Sequence, residues 1–239
     1  SDVLEIIENK NTREQFPFTS SGLPVPGKPA SNLCVKAYRL LKKEFPSLSP
    51  VHIHLHKVIP SGAGLGGGSS DAAFTLKLLN RQFHLLLTEK QLMELAAELG
   101  SDCPFFILNK PCLAKGRGEI LSEINLDLSA YKFVLVNPGI HVDTGKAFLH
   151  IHPEVPSKSL EEIVAMPPER WKDELHNDFE KVIFPLHREI VDIKDQLYNL
   201  GAVYASMSGS GSTVYGLFKK EMKITPSFPL HYFYRELNS

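Results

Sequence analysis

The chain has 239 residues, of which 43% are hydrophobic and 22% charged, so it can bury one large core or two small ones. Its formal net charge of −1 offers no electrostatic attraction to nucleic acid or to an anionic membrane surface. We therefore expect neither nucleic acid nor a membrane as a partner.

The location of the protein is suggested by what its sequence does not contain. No apolar run approaches the roughly twenty residues of a membrane span, and the first residues show no signal-peptide pattern. Cys34, Cys103 and Cys112 form no C-x-x-C pair, and an odd number of thiols suits a reducing compartment. We expect a cytoplasmic protein and interpret the cysteines as core residues.

The first predicted elements are a helix over residues 31–43 and a strand over residues 51–59. Apolar residues recur at helical spacing in the first segment, and Pro46 follows its end. In the second segment apolar residues alternate with histidines, so Ile53 and Leu55 are expected to point inward and the histidines outward.

A glycine-rich run, PSGAGLGGGSS at residues 60–70, follows this strand and runs into an apolar helix predicted over residues 71–81. Backbone N–H groups of such a loop converge on an anion at the helix N-terminus, so the run predicts a phosphate-binding loop. A flexible linker is a weaker alternative, because linkers are not flanked at once by a strand and a helix.

Two other phosphate-binding motifs fit the run less well. Gly62, Gly64 and Gly67 satisfy the dinucleotide pattern G-x-G-x-x-G, but residues 85–99 then predict a helix instead of a second strand with an acidic end. No Gly-Lys-[Ser/Thr] follows the glycines, which argues against a P-loop of the Walker A type.

Helices and strands alternate unevenly along the rest of the chain, which predicts an α+β fold. We expect a helix over 88–99, short strands with glycine kinks over 104–108 and 112–121, a connector over 125–130 and a buried strand over 131–138. Beyond a domain boundary near residue 124, we expect helices around 178–181 and 189–200, then strands over 202–206 and 213–218 that bracket a second glycine-rich loop.

Three ordered motifs resemble those of the GHMP kinases. The run 60–70 resembles their signature P-x-x-x-G-L-G-x-x-S-S, and its form G-A-G-L-G-G-G-S-S-D-A-A is similar to that of the 4-diphosphocytidyl-2-C-methyl-D-erythritol kinases. The others are LGSDCPFF at 99–106 and ASMSGSGST at 205–213, which resembles the second glycine-rich loop of the family. The resemblance implies the two-domain GHMP kinase fold with its active site in the cleft between an ATP-binding domain, residues 1–124, and a substrate domain, residues 125–239.

The same resemblance implies a reaction and its cofactors. We expect ATP- and Mg²⁺-dependent phosphorylation of the 2-hydroxyl of a small molecule, 4-diphosphocytidyl-2-C-methyl-D-erythritol, in non-mevalonate isoprenoid biosynthesis. Two alternatives stay open. One is a GHMP kinase that acts on homoserine, mevalonate or a sugar, and the other is a non-catalytic nucleotide-binding relative.

The resemblance assigns the nucleotide to the first glycine-rich loop. Phosphoryl transfer depends mostly on positioning and charge stabilisation, so the site needs anion donors. Asn32 and Lys57 match positions that contact the adenine end of ATP, although Asn32 is equally suited to cap a helix. Ser70 matches the serine near the magnesium ion, and close approach of phosphate is expected to exclude a side chain at Gly66. The expected ATP-binding run is Pro60, Ser61, Gly62, Ala63, Gly64, Leu65, Gly66, Gly67, Gly68, Ser69 and Ser70.

Asp102 is the catalytic candidate. Its local sequence favours a turn residue or a helix N-cap, whereas the resemblance makes it the aspartate that accepts or orients the substrate hydroxyl. Because it precedes Cys103, Pro104 and two phenylalanines, we expect an apolar environment in which the carboxylate stays ionised only beside a cation.

The substrate candidates lie in the second half of the chain. Thr144 and Phe148 match a segment whose aromatic ring stacks on cytosine in the resembling enzymes, with core packing as the alternative for Phe148. The second glycine-rich loop is expected to present backbone N–H groups to the substrate diphosphate, or else to be an ordinary hairpin turn. Its candidate residues are Ser208, Gly209, Ser210 and Gly211.

His52, His54 and His56 fall on one face of the predicted strand. Residues four apart on a strand are separated by roughly 13 Å, which is too far for all three to share one ion. We prefer a solvated sheet face and expect no metal there.

The chain departs from the family pattern at its start. The K-I-N-L and D-G-[YF]-H motifs of the family are absent, and Ser1–Ile7 matches only the family segment that comes after those motifs. We interpret the chain as a truncated form without the lysine that pairs with Asp102. As written, it is expected to be inactive and prone to aggregate through an exposed sheet edge.

Overall fold

A computed structural model describes residues 1–9, 18–152, 157–225 and 227–238. The chain divides into two compact units, Ser1–Ser61 with Gly66–Glu123 and Gly62–Leu65 with Ile124–Ser239. The division after Glu123 is adjacent to the predicted boundary. The grouping of Gly62–Leu65 with the second unit was not predicted, and it divides the first glycine-rich loop between the units.

The first unit combines a mixed sheet, a helical layer and a hairpin. Its strands and helices in the described residues are β1 (Val3–Glu8), β2 (Phe18–Gly22), α1 (Leu33–Glu44), β3 (Val51–Lys57), α2 (Gly67–Gln82), α3 (Glu89–Leu99), α4 (Cys103–Leu108), β4 (Cys112–Lys115) and β5 (Ile120–Glu123). The strand β3 is central, antiparallel to β1 and parallel to β2. The predicted helices over 31–43, 71–81 and 88–99 are confirmed as α1, α2 and α3.

The alternation predicted for residues 51–59 is confirmed in β3. Val51, Ile53 and Leu55 are buried, whereas the histidines between them lie on the opposite face. The buried side chains join a core that α1, α2, α3 and α4 complete, with Leu41, Leu76, Ala96 and Ile107 among its members. Burial of one strand face against four helices places the start of α2 beside the end of β3.

The strand predicted over 104–108 is wrong, because these residues form the helix α4. A five-residue apolar run has no periodicity that separates a buried helix from a buried strand. Pro104 lies in the first turn, where its preset φ is suited to a helix. Cys103 and Ile107, one turn apart, are both buried against the core of the first unit.

The single strand predicted over 112–121 is instead the hairpin of β4 and β5, in which Cys112 pairs with Glu123. Gly116 and Gly118 have φ values of +70° and +111°, which reverse the chain between the strands. As predicted, Cys34 and Cys103 are core residues, but Cys112 on β4 is only half-buried.

The second unit is an antiparallel sheet with helices packed on it. Its described strands and helices are β6 (Tyr131–Asn137), α5 (Thr144–His150), α6 (Leu160–Val164), α7 (Trp171–Glu174), α8 (Phe179–Ile183), α9 (Arg188–Asn199), β7 (Tyr204–Met207), β8 (Val214–Lys219) and β9 (Phe233–Asn238). The strand order is β7-β8-β6-β9. The strands predicted over 131–138, 202–206 and 213–218 are confirmed, as are the helices near 178–181 and 189–200.

The described residues contain no helix that is both long enough and apolar enough to cross a bilayer.

Candidate active site

In the first unit, the last residues of the first glycine-rich loop form the beginning of α2. Gly66 precedes the helix with φ +63°, and its carbonyl accepts the N–H of Ser70 at 2.9 Å. The N–H groups in the first turn of a helix have no intrahelical acceptor, so those of Gly67, Gly68 and Ser69 point out of the helix end. No side chain caps this end within the described residues. These groups therefore form a positive pole that is suited to an anion.

The fold requires glycine at two of the three positions at this helix end and not at the third. A Cβ on Gly66 would lie 2.8 Å from the Phe106 ring, and one on Gly67 would lie 3.0 Å from the Lys57 ammonium. Packing and a positive φ already require glycine at position 66, and the predicted close approach of a phosphate there stays a prediction. At Gly68 the nearest atom is a Leu33 methyl group at 3.8 Å, so the fold itself leaves room for a side chain.

Lys57 forms a buried ion-pair cluster beside the start of α2. Its ammonium lies 2.5 Å from Asp2 Oδ2 and 2.8 Å from Asp71 Oδ2, and the lysine is only 3% exposed. The Asp2 carboxylate also accepts the backbone N–H groups of Val58 and Ile59. The side chain of Lys57 is thus committed to two carboxylates, and its predicted contact with adenine stays untested.

The pKa values of the two carboxylates in this cluster are shifted in opposite directions. Burial raises the pKa of Asp71 to about 6, against the opposing effect of the Lys57 ammonium. Burial also acts to raise the pKa of Asp2, but the hydrogen bonds from Ile59, Lys57 and Val58 outweigh it and lower that pKa. For Lys57 the bonds to both carboxylates overcome burial and raise the pKa. Sequence analysis missed Asp71, whose only signal is a carboxylate directly after Ser70.

Asn32 is located at the N-terminus of α1, where its Oδ1 accepts the N–H of Cys34 at 2.9 Å. The capping role that local sequence allowed is therefore present. The side-chain nitrogen of Asn32 is not used in this bond, and the predicted contact of Asn32 with ATP stays a prediction.

Asp102 directly precedes α4, but its side chain does not cap that helix. The residue is exposed, so the apolar environment predicted for its carboxylate is wrong. The apolar residues that follow turn into α4, and Cys103 and Pro104 are buried without enclosing Asp102. A Cβ on Gly118, in the β4–β5 turn, would lie 3.6 Å from Asp102 Oδ1.

In the second unit, the middle of the first glycine-rich loop packs on the second loop. The Thr213 N–H donates to the Ala63 carbonyl at 3.1 Å, and the Ser208 hydroxyl donates to the Gly64 carbonyl at 2.7 Å. A Cβ on Gly64 would lie 2.1 Å from the Ser208 carbonyl oxygen. The two predicted loops therefore meet backbone to backbone, which the sequence did not predict.

The second loop connects β7 to β8 and keeps two backbone donors free. Ser208 N–H bonds to Thr213 at 2.8 Å and Gly211 N–H bonds to Ser208 at 3.0 Å. The N–H groups of Gly209 and Ser210 have no acceptor in the part of the chain that the structure describes. The loop is thus a hairpin connection that also has donors for an anion, so the two alternatives for residues 208–211 are compatible.

Thr144 and Ser210, both predicted to bind substrate, are brought together. Their hydroxyl oxygens lie 2.7 Å apart, which joins the start of α5 to the second loop. Phe148, one turn along α5, is 63% exposed and meets the ring of Phe179 edge to face at 4.9 Å. The core-packing alternative for Phe148 is wrong, because most of its ring is accessible.

The remaining residues of the first loop lie at the surface or beside the contact that Ala63 and Gly64 make with the second loop. Pro60 is half-buried and Ser61 exposed, both in the first unit, whereas Leu65 is half-buried in the second. A Cβ on Gly62 would lie 3.6 Å from Nδ1 of His141 in the same unit.

The three histidines of β3 bond to the neighbouring strand. Thr19 Oγ1 contacts His52 Nε2 at 3.1 Å and His54 Nδ1 at 2.8 Å, and Ser21 Oγ contacts His54 Nε2 and His56 Nδ1, both at 2.9 Å. The imidazoles thus form a hydrogen-bonded ladder with β2 hydroxyls on the outer sheet face.

Magnesium is implied by the family resemblance. The residues near Ser70 offer few oxygen atoms that could serve as its ligands. Among the residues described, no three His, Cys, Asp or Glu side chains are placed to hold a metal. Magnesium that arrives with phosphates needs only one or two protein ligands, and the half-buried Ser70 hydroxyl is one such oxygen. The carboxylate that follows Ser70 in the chain, Asp71, is already bonded to Lys57.

Comparisons with known proteins identify the family to which the chain belongs. Residues 32–110 match the family model for the GHMP kinases N terminal domain, and residues 159–225 match that for the GHMP kinases C terminal region. The chain is 53% identical over 224 residues to the 4-diphosphocytidyl-2-C-methyl-D-erythritol kinase of Bacteroides fragilis (strain YCH46), covering 94% of this chain and 81% of that protein. The chain belongs to the 4-diphosphocytidyl-2-C-methyl-D-erythritol kinase family.

Two further relatives support membership of this kinase family. The enzyme of the same name from Azobacteroides pseudotrichonymphae genomovar. CFP2 is 51% identical over 235 residues, covering 97% of this chain and 86% of that protein. A crystal structure of 4-(cytidine 5'-diphospho)-2C-methyl-D-erythritol kinase aligns with a TM-score of 0.73 and 31% identity, over 90% of this chain and 76% of that one. The predicted two-domain GHMP kinase fold is thereby confirmed.

Removal of the buried cation in this kinase should destabilise it strongly. Lys57→Met leaves Asp2 and Asp71 buried without their partner, so we expect the free energy of unfolding to fall by about 3–5 kcal/mol. Lys110→Met is the control, because Lys110 pairs with Glu123 in an exposed ion pair and its loss should lie within experimental error. Denaturant titration measures both, and an equal small loss in the two variants would contradict the structural role of the cluster.

The contact between the two loops gives a second matched pair. Gly64 and Gly139 have φ values of +75° and +79°, but a Cβ meets the Ser208 carbonyl in the first case and no atom within 4 Å in the second. Gly139→Ala should lower stability by about 1–2 kcal/mol through backbone strain alone. Gly64→Ala should lose about 1–3 kcal/mol more, because the loops must separate. Identical denaturation midpoints would show that the contact is not close.

Proposed function

We propose that the chain transfers the γ-phosphoryl group of ATP to the 2-hydroxyl of 4-diphosphocytidyl-2-C-methyl-D-erythritol. The observation that carries this proposal is the pair of bonded glycine-rich loops, each with backbone N–H groups available to phosphate oxygens. Both reactants carry phosphate chains, so two such donor sets suit the reaction. In this proposal the first domain, residues 1–124, binds ATP and the second, residues 125–239, binds the substrate.

Each candidate residue has one task in the proposed reaction. The first loop holds the ATP phosphates, and the second loop holds the substrate diphosphate through Gly209 and Ser210. The exposed ring of Phe148 stacks on the cytosine, which suits an aromatic side chain that the core does not enclose. Asn32 contacts the adenine end of ATP through the side-chain nitrogen that its helix cap leaves unused.

Transfer breaks the bond from the γ-phosphorus to ADP and forms one to the substrate oxygen, whose proton passes to Asp102. In this proposal the exposed carboxylate of Asp102 accepts this proton or orients the hydroxyl. Magnesium, when bound with the nucleotide, neutralises phosphate charge, and Ser70 is the residue that we propose to hold it.

The proposed substrate is tested by direct comparison of alcohols. Purified protein in which the K-I-N-L and D-G-[YF]-H motifs of the family precede Ser1 should, with ATP and Mg²⁺, form ADP with 4-diphosphocytidyl-2-C-methyl-D-erythritol and phosphorylate its 2-hydroxyl, as followed by phosphorus NMR. Homoserine, mevalonate and simple sugars should give no turnover above background. Preferential turnover of one of these would favour the other GHMP kinase hypothesis, and ATP binding without any turnover would favour a nucleotide-binding relative.

Gly68 offers a test of phosphate binding that is separate from folding. Gly68→Ala adds a methyl group where the fold has room, inside a helix in which Ala is favoured over Gly, so stability should be retained. If phosphate approaches this backbone, ATP affinity should fall about tenfold or more. Calorimetric titration and thermal unfolding of the same variant separate the two effects. Unchanged ATP affinity would contradict phosphate binding at Gly68.

Asp102→Asn tests the proposed proton acceptor. Because Asp102 is exposed and does not cap α4, the variant should keep its thermal stability and its ATP affinity, whereas kcat should fall by about 100-fold or more. Asp195→Asn, an exposed aspartate on α9, is the control and should keep full activity. Near-normal kcat in the Asp102 variant would remove this residue from the mechanism.

A further inference from the structure

The segment Asn177–Glu180 is in contact with the second glycine-rich loop and with Phe148. The side-chain nitrogen of Asn177 donates to the Met207 carbonyl at 2.7 Å and to the Gly209 carbonyl at 2.8 Å. One amide group therefore holds the last carbonyl of β7 and a carbonyl of the loop that follows it. Sequence analysis did not identify this segment as part of a site.

The bond to Gly209 determines where the next N–H points. In a trans peptide the C=O of one residue and the N–H of the next are directed oppositely. Because the Gly209 carbonyl is directed toward Asn177, the Ser210 N–H is directed away from it. Asn177 thereby orients one of the two free donors of the loop.

Glu180 fixes the same segment to the strand that leads into the loop. Its Oε1 accepts the Met207 N–H at 2.8 Å and the Ser206 hydroxyl at 3.2 Å, and its Oε2 lies 2.6 Å from the ammonium of Lys194. The carboxylate side chain is only 12% exposed. These contacts hold the segment and the end of β7 together as one piece.

The same segment also supports Phe148. Asn177 Oδ1 accepts the Phe179 N–H at 3.0 Å, and the ring of Phe179 meets that of Phe148 at 4.9 Å. One side chain, Asn177, therefore bonds at one end to the loop and at the other to the residue that packs on Phe148.

We propose that Asn177 is a positioning residue that sets the spacing between the backbone donors at Gly209 and Ser210 and the ring of Phe148. This inference rests on the proposed function, in which these two features bind the diphosphate and the base of one nucleotide. A base and a diphosphate in a single ligand have a limited separation, so a rigid link between their binding groups favours ligands that carry both groups at that separation.

Substitution of Asn177 should weaken substrate binding more than chemistry. Asn177→Ala removes two hydrogen bonds to the loop, so the KM for the cytidine substrate and the Kd for CDP should rise about tenfold. The KM for ATP and kcat should change by less than about threefold. Asn80→Ala is the matched control, because the Asn80 amide bonds to both backbone groups of Leu87 in the first unit. Equal changes for ATP and CDP, or an unchanged Kd for CDP, would overturn the proposal.

In a second variant at the same position, the affinity for CDP should depend on pH. Asn177→Asp places a carboxylate oxygen opposite two carbonyl oxygens, so the Kd for CDP at pH 8 should exceed that of the alanine variant. Protonation restores one donor, and the excess should shrink as the pH is lowered toward 5. An aspartate variant that binds CDP with the wild-type affinity at both pH values would refute the positioning role.

Hydrogen exchange separates this inference from the proposed function. The amides of residues 208–213 should exchange faster in Asn177→Ala and at the wild-type rate in Asn80→Ala. Unchanged exchange in the Asn177 variant would overturn the positioning role. Faster exchange in a protein whose wild-type form does not phosphorylate the cytidine substrate would support the positioning of the loop and refute the proposed function.

Discussion

The close approach of two glycine-rich backbones at Gly64 is the contact on which the part of the candidate site in the second unit depends. A residue with a side chain at this position would overlap the Ser208 carbonyl, and φ is positive there as well. The hydrogen bond from Ser208 to Gly64 joins residues 144 positions apart in the chain. Without this contact, the loop between β7 and β8 would not share a surface with Ala63 and Gly64.

Buried polar groups hold the elements on which the loops lie. In the first unit, Lys57 links the end of β3 to α2 and to the residues before β1, and in the second, Glu180 links α8 to β7 and α9. A buried charge is unfavourable unless it is paired, so such clusters define which elements can lie together more than they add net stability. The candidate site residues are therefore carried by elements whose packing partners are restricted by buried ion pairs.

Most secondary structure could be predicted because its signals are local. The alternation in β3 and the helical spacing of α1 and α3 report which face is buried. The prediction for residues 104–108 was wrong because five apolar residues have no measurable period. That error also affected Asp102. A helix that turns its apolar residues into the core leaves the preceding aspartate exposed, whereas neighbours in the sequence suggested burial.

The sequence by itself determined the two glycine-rich loops, the order of the elements and the resemblance to a kinase family, since glycine spacing and periodicity are written in consecutive residues. Only the tertiary structure decided that Lys57 is enclosed by carboxylates, that Phe148 is exposed and that Asn177 bonds to the second loop. These facts depend on partners such as Asn177 and Met207, which are 30 residues apart. A linear pattern contains no information on which distant groups meet, because chain folding alone brings them within hydrogen-bonding distance.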